Sequence, residues 1–91
     1  MATLMELRSE LDRIDAQLVP LLEQRMETAA AVGRLKRAQG LAVLDADREA
    51  QVLRSRRALL RDPRWTGACD ALFETLMAQS RAAQEEVGAD A

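Results

Sequence analysis

From Leu4 onward, apolar residues, or residues in register with them, return every three or four positions: Leu4, Leu7, Leu11, Ile14, Leu18, Leu21, Arg25, Thr28, Val32 and Leu35. This is a heptad seam sustained over roughly 32 residues, and it predicts one long amphipathic helix. Thr3, with Glu6 three residues on, reads as its N-cap, and Lys36 and Arg37 followed by Gly40 mark its end. At ~1.5 Å per residue the helix is ~50 Å long. Pro20 removes a backbone hydrogen bond to Ala16, but the seam keeps its phase across it, which predicts a bend rather than a break.

A short loop from Gly40 to Leu44 leads to Asp45-Ala-Asp-Arg-Glu49, the start of a second helix capped by Asp45 or Asp47. This helix is expected to end near Arg61, closed by Asp62-Pro63. A third, from about Trp65, carries Cys69, Leu72, Phe73, Leu76, Met77, Ser80, Ala83, Gln84 and Val87 on one stripe. The expectation is an all-α chain forming a single domain over residues 1–91. Its helices fall at about 4–38, 46–61 and 65–87, and its polar tail, 88–91, is disordered.

The first helix is too long for its seam to be covered by the two shorter ones. The pattern therefore predicts an intertwined homodimer, with two long helices antiparallel and two equivalent sites related by a two-fold axis. A chain of 91 residues also buries too small a share of its surface to be comfortably stable alone.

Composition narrows the chemistry. There is no histidine, which removes the usual general base and the usual transition-metal ligand, so arginine, lysine, carboxylates, amides and hydroxyls must do the work. Cys69 is the only cysteine, which excludes an intrachain disulfide and fits a reducing cytoplasm; its simplest reading is a small buried hydrophobe. No signal peptide or membrane span is read in the sequence, and a cytoplasmic location is expected. The net charge is −2 with basic residues scattered among acids, which argues against nucleic acid as a partner. Any anion bound is small and met by a local pocket.

Several polar residues stand where apolar ones belong. Arg25 lies in the seam between Leu21 and Val32, where it either snorkels to water or meets a buried anion. Lys36 follows eleven residues later, three turns plus about 20°, so the two cations share a face. Lys36 is the only lysine among thirteen basic residues; it is either a solvated charge near a helix end or a compact ammonium chosen for a purpose. Arg8 lies ~25 Å before Arg25 and about 100° around the helix, so one chain cannot bring both to one ligand, whereas two antiparallel chains can. Asp45 and Glu49, with Arg48 between them, read either as cap and surface charge or as part of a site. Ser80 and Gln84 interrupt the third helix's apolar stripe, and a buried Gln there wants a hydrogen-bond partner.

Taken together, Leu7-Arg8, Ile14-Asp15, Leu21-Leu-Glu-Gln-Arg25, Val32-Gly-Arg-Leu-Lys36, Asp45-Ala-Asp-Arg-Glu49, Leu72-Phe73, Ser80 and Gln84 resemble the all-helical chorismate mutase family over residues 4 to about 87. Each fragment is weak alone, but eight polar positions in order across three helices make a specific match. The resemblance implies the rearrangement of chorismate to prephenate in phenylalanine and tyrosine biosynthesis, without metal or cofactor, at a site completed by the partner chain. Arg25 and the second chain's Arg8 would hold the substrate's two carboxylates. Lys36 would contact a carboxylate and the ether oxygen, and Gln84 would donate to that same oxygen. Glu49 and Asp45 would accept from the ring hydroxyl, Arg48 would place the ring and a carboxylate, and Ser80 would contact a carboxylate. The sequence departs from the family pattern in a short link around residues 61–66 and in Leu44, which stands where a basic residue can occur.

Two other readings compete. An isochorismate pyruvate lyase uses the same scaffold but usually lacks the acidic pair and the serine. A non-catalytic helical dimerisation or regulatory domain would bind prephenate or an aromatic amino acid without needing both ether-oxygen donors.

Overall fold

The computed structural model describes the backbone of residues 1–90 and the side chains through Val87. Helix α1 spans Leu4–Ala38, α2 Ala46–Arg57 and α3 Thr66–Asp90, with a short 3₁₀ turn, Pro63–Trp65, before α3. The chain is all-α, and α1 is very long, as the seam predicts. It runs unbroken through Pro20, so the seam's constant phase outweighs the lost hydrogen bond.

Local chemistry sets the helix ends. The Thr3 hydroxyl accepts from the Glu6 amide at 3.1 Å and donates to the Glu6 carboxylate at 3.2 Å. At the other end Gly40 takes a left-handed φ of 68°. The Leu41 amide then reaches back to the Lys36 carbonyl at 2.8 Å and the Gly40 amide to the Arg37 carbonyl at 3.2 Å, satisfying carbonyls that a helix end would leave bare. Asp45, not Asp47, caps α2 by accepting from the Arg48 amide at 3.0 Å.

Two boundaries differ from expectation. Helix α2 stops at Arg57 rather than near Arg61, because the chain tightens into turns in which the Leu59 and Leu60 amides bond to the Arg56 and Arg57 carbonyls, each at 3.0 Å. Asp62 then caps the 3₁₀ turn through the Arg64 amide at 2.9 Å, with Pro63 at its start, and this device fills the short link. Helix α3 has its bound at Asp90, three residues past the expected end at Val87, and the disorder expected of 88–90 falls where only the backbone is described. Ala91, the last residue of that expected tail, lies outside the described residues.

Side-chain contacts give the helix directions. Arg25 meets Leu76 and Ser80, and Gly33 lies against Gln84 and Val87, so α3 runs parallel to the second half of α1. Glu49 pairs with Arg81 and Arg57 with Asp70, so α2 runs antiparallel to α3. The buried apolar side chains are Ala29, Val52 and Met77, one from each helix, at the point where the three meet. Every residue from 1 to 24 is exposed. Along that stretch Leu4, Leu7, Leu11, Ile14, Leu18 and Leu21 stand 41% to 63% open to solvent. The molecule measures 56 × 26 × 14 Å, its long dimension set by α1.

Gly33 fixes how closely α1 and α3 approach. A Cβ there would fall 2.7 Å from the Gln84 Cα and 2.8 Å from a Val87 methyl, and backbone cannot swing aside as a flexible side chain can. By helix propensity alone Gly33→Ala would gain about 1 kcal/mol. Overpacking of this kind costs about 1–3 kcal/mol, so the steric effect wins. Gly33→Ala is therefore expected to lower the urea unfolding midpoint; a higher midpoint would contradict the close approach.

Candidate active site

Where the three helices meet, they enclose a cleft of about 330 Å³. The second half of α1 supplies Arg25, Thr28, Ala29, Val32 and Lys36 to its walls. Asp45, Arg48, Glu49, Val52 and Arg56 enter from α2 and its cap, and Met77, Arg81 and Gln84 from α3. Six of the eight residues singled out by sequence thus line one cavity. Ser80, at the back of the cleft, touches it through Arg25, whose Nη1 donates to the Ser80 hydroxyl at 2.7 Å while that hydroxyl donates to the Leu76 carbonyl at 2.7 Å. Arg8 does not reach the cavity; it sits exposed on the first half of α1, as its ~25 Å separation from Arg25 requires.

The lining is strongly cationic in a chain whose net charge is −2. Arg25, Lys36, Arg48, Arg56 and Arg81 face only two carboxylates, Asp45 and Glu49. Arg25 carries the effect most clearly: burial, then repulsion by Arg56 and by Arg48, holds its pKa below the ordinary value. An arginine stays charged at any working pH, so this penalty favours an anion that would relieve it. Arg25 and Arg56 also lie 6.0 and 5.9 Å from the Phe73 ring centroid, whose face offers each guanidinium a weak attraction.

Most of these cations are held by neutral groups. Lys36 Nζ donates to the Val43 carbonyl at 2.6 Å, which ties the 39–45 loop against the cleft. Arg25 rests on Ser80, Arg48 on the Gln51 side chain and Arg56 on the Ser55 hydroxyl. Arg81 pairs with Glu49. Gln84 is buried, and its Oε1 has no hydrogen-bond partner among the described residues. Burying an unsatisfied polar atom costs about 1–3 kcal/mol, a cost natural proteins rarely carry without a use for the group. Among the described residues no cluster of His, Cys, Asp or Glu is placed to hold a metal ion.

Sequence reasoning missed Arg56 and Arg81. Arg56 could have been found, because Asp45, Glu49, Val52 and Arg56 repeat at four, three and four residues and so share one face of α2. Arg81 gave a weaker signal: it lies beside the apolar stripe rather than in it, and only its neighbours Ser80 and Gln84 broke the pattern.

The family model described as chorismate mutase type II matches residues 7–85. The T-protein of Haemophilus influenzae is 39% identical over 57 residues, which is 63% of this chain and 15% of that protein. The T-protein of Enterobacter agglomerans is 43% identical over 56 residues, 62% of this chain and 15% of that protein. A 3-dehydroquinate dehydratase of Pyrobaculum aerophilum is 50% identical over 48 residues, 53% of this chain and 16% of that protein. The chain thus spans about one sixth of the length of the curated relatives it matches. A conserved hypothetical protein from Pyrococcus furiosus has a similar solved structure, with a TM-score of 0.74 and 36% identity over 92% of this chain and 97% of that one.

The Arg25–Ser80 contact can be tested without any ligand. Ser80→Ala keeps a good helix former but removes a hydroxyl that is 9% exposed and bonded to a charged group. A net loss of about 1 kcal/mol is expected in urea unfolding. An unchanged or higher midpoint would mean that the hydroxyl does not hold Arg25.

Proposed function

The chain belongs to the chorismate mutase type II family, and from that premise we propose that it catalyses the intramolecular rearrangement of chorismate to prephenate. The observation that carries this reading is the convergence of Arg25, Lys36, Arg48, Glu49 and Gln84 from three helices on one cationic cleft.

The reaction breaks the ether carbon–oxygen bond while a new carbon–carbon bond forms within the same molecule. No atom enters or leaves, so it asks for no nucleophile, base, metal or cofactor. It asks for a flexible dianion to be held folded with its reacting carbons in contact, and for negative charge growing on the ether oxygen to be met by donors already in place. Arginines suit the first task because a guanidinium binds a carboxylate through two parallel hydrogen bonds. Arg25, seated on Ser80, takes one carboxylate in this reading, and Arg48 steadies the ring and a carboxylate. Lys36 would exchange the Val43 carbonyl for the substrate, reaching a carboxylate and the ether oxygen. The Gln84 amide would donate to that oxygen too. Both donors gain strength as charge develops, which is the condition for raising turnover rather than affinity alone. Glu49, and Asp45 with the carboxylate oxygen not used as a cap, would accept from the ring hydroxyl.

The second carboxylate would be met by Arg8 of a second copy. In this proposal two chains form an intertwined homodimer, their α1 helices antiparallel, and each covers the other's exposed seam from Leu4 to Leu21. One domain per chain and two shared sites follow, and the reaction would serve phenylalanine and tyrosine synthesis in the cytoplasm. The acidic pair on the cleft wall favours this chemistry over pyruvate elimination from isochorismate, and a module that merely bound its ligand would not need both of the proposed ether-oxygen donors. The dehydratase among the relatives shares too little of its length to argue for dehydration.

The direct test is ultraviolet loss of chorismate with product analysis. The expected product is prephenate; no consumption of chorismate, or salicylate with pyruvate formed when isochorismate is supplied instead, would sink the reading. Lys36→Ala is expected to lower turnover at least about a hundredfold with far-ultraviolet helicity unchanged, since one such donor is typically worth ~3 kcal/mol. Equal loss of helix and activity would make its role structural. Gln84 has no proton to titrate, so turnover should hold through neutral and mildly alkaline pH. A steep fall near neutrality would assign the donation to a titrating acid instead.

A further inference from the structure

We propose that Arg81 is a positioning residue, which holds the Glu49 carboxylate turned toward the substrate's ring hydroxyl; the inference rests on the mutase reading above.

Arg81 lies on α3, one residue after Ser80 and three before Gln84, and lines the same cleft. Its Nη1 donates to Glu49 Oε2 across the α2–α3 interface, a link between residues 32 apart in sequence. The two side chains are 34% and 26% exposed, so neither is a free surface charge. This sets Arg81 apart from the other cleft cations. Arg25, Lys36, Arg48 and Arg56 hydrogen-bond to hydroxyls, an amide or carbonyls, which a substrate carboxylate can displace. Among the described residues, Arg81 is the one cleft cation paired with an acid.

The pairing does two things for Glu49. A carboxylate has about four acceptor positions on two oxygens, and Arg81 engages Oε2 while Oε1 accepts from no described side chain. One oxygen is thus anchored and the other left to accept from a hydroxyl. The terminal torsion of glutamate is otherwise broad and nearly two-fold, so without the anchor the carboxylate would sample orientations that miss the substrate. Arg81 also offsets a negative charge that would stand beside a dianion, where like charges repel. If Arg81 instead bound the substrate itself, its contribution would be independent of Glu49.

A double-mutant cycle on the full chain separates these cases, using Arg81→Met, Arg81→Lys, Glu49→Gln and the double variant Arg81→Met/Glu49→Gln. In kcat/KM for chorismate, Arg81→Met is expected to lose about tenfold, Arg81→Lys to recover most of that, and Arg81→Met to cost less than about twofold more once Glu49 is already Gln. Losses that multiply, or an Arg81→Met variant as active as wild type, overturn the positioning role. Urea midpoints of the same variants provide a readout without substrate: shifts that fail to add are expected, and additive shifts overturn the pair itself. A wild-type protein inert toward chorismate overturns the mutase reading instead, and the two failures are told apart by that control.

Discussion

The structure depends on a mismatch between one helix and the rest of its chain. Helix α1 is 35 residues long; α3 packs against its second half, and α2 packs on α3 and faces that same half across the cleft. Among the described residues, what is buried is small: three apolar side chains, one from each helix. An apolar stripe of six leucine and isoleucine side chains lies on the other half, open to solvent. At about 25 cal/mol for each Å² removed from water, covering such a stripe would be a substantial stabilisation. A second copy supplies a stripe of the same length and pattern. The same operation would carry Arg8, distant from the cleft in its own chain, toward the cleft of the other. Stability and completion of the site thus become one requirement in the proposed dimer.

The cleft shows the complementary economy. Gly33 lets α3 approach α1 until Gln84 is buried with an oxygen that no described residue partners, and Gln84 and Lys36 line the same cleft. Burial, then repulsion by Arg56 and by Arg48, disfavours the charge on Arg25, and an anion in the cleft would relieve it. Local cost set against ligand binding is a common arrangement in enzymes, and in the proposed reaction it would use no group that must gain or lose a proton. In the proposed mechanism, the division between cations held by neutral groups and the one tied to Glu49 would separate binding the substrate from orienting a group that touches it.

Much of this was legible in the residues. The three-four spacing gave α1 to the residue at its start and its end, because a seam, a cap and a glycine stop each point to the same boundary. Arg25, Ser80 and Gln84 stood out because polar groups in an apolar stripe must be explained. Helix α2 was read four residues too long: its last stretch is apolar enough to suit a helix, and the tightening before Asp62-Pro63 is a matter of backbone hydrogen bonds that composition does not show. Arg81 was missed because its partner lies 32 residues away on another helix, and pairing at that range is set by packing rather than by local spacing.

The central claim is that a complete site needs two chains, and subunit mixing tests it most directly. Arg8→Ala and Lys36→Ala proteins, each inactive alone, would be mixed, allowed to exchange subunits, and assayed for chorismate loss. The account predicts recovered activity, because a mixed dimer holds one site with both native residues. No recovery after exchange has been verified would contradict it.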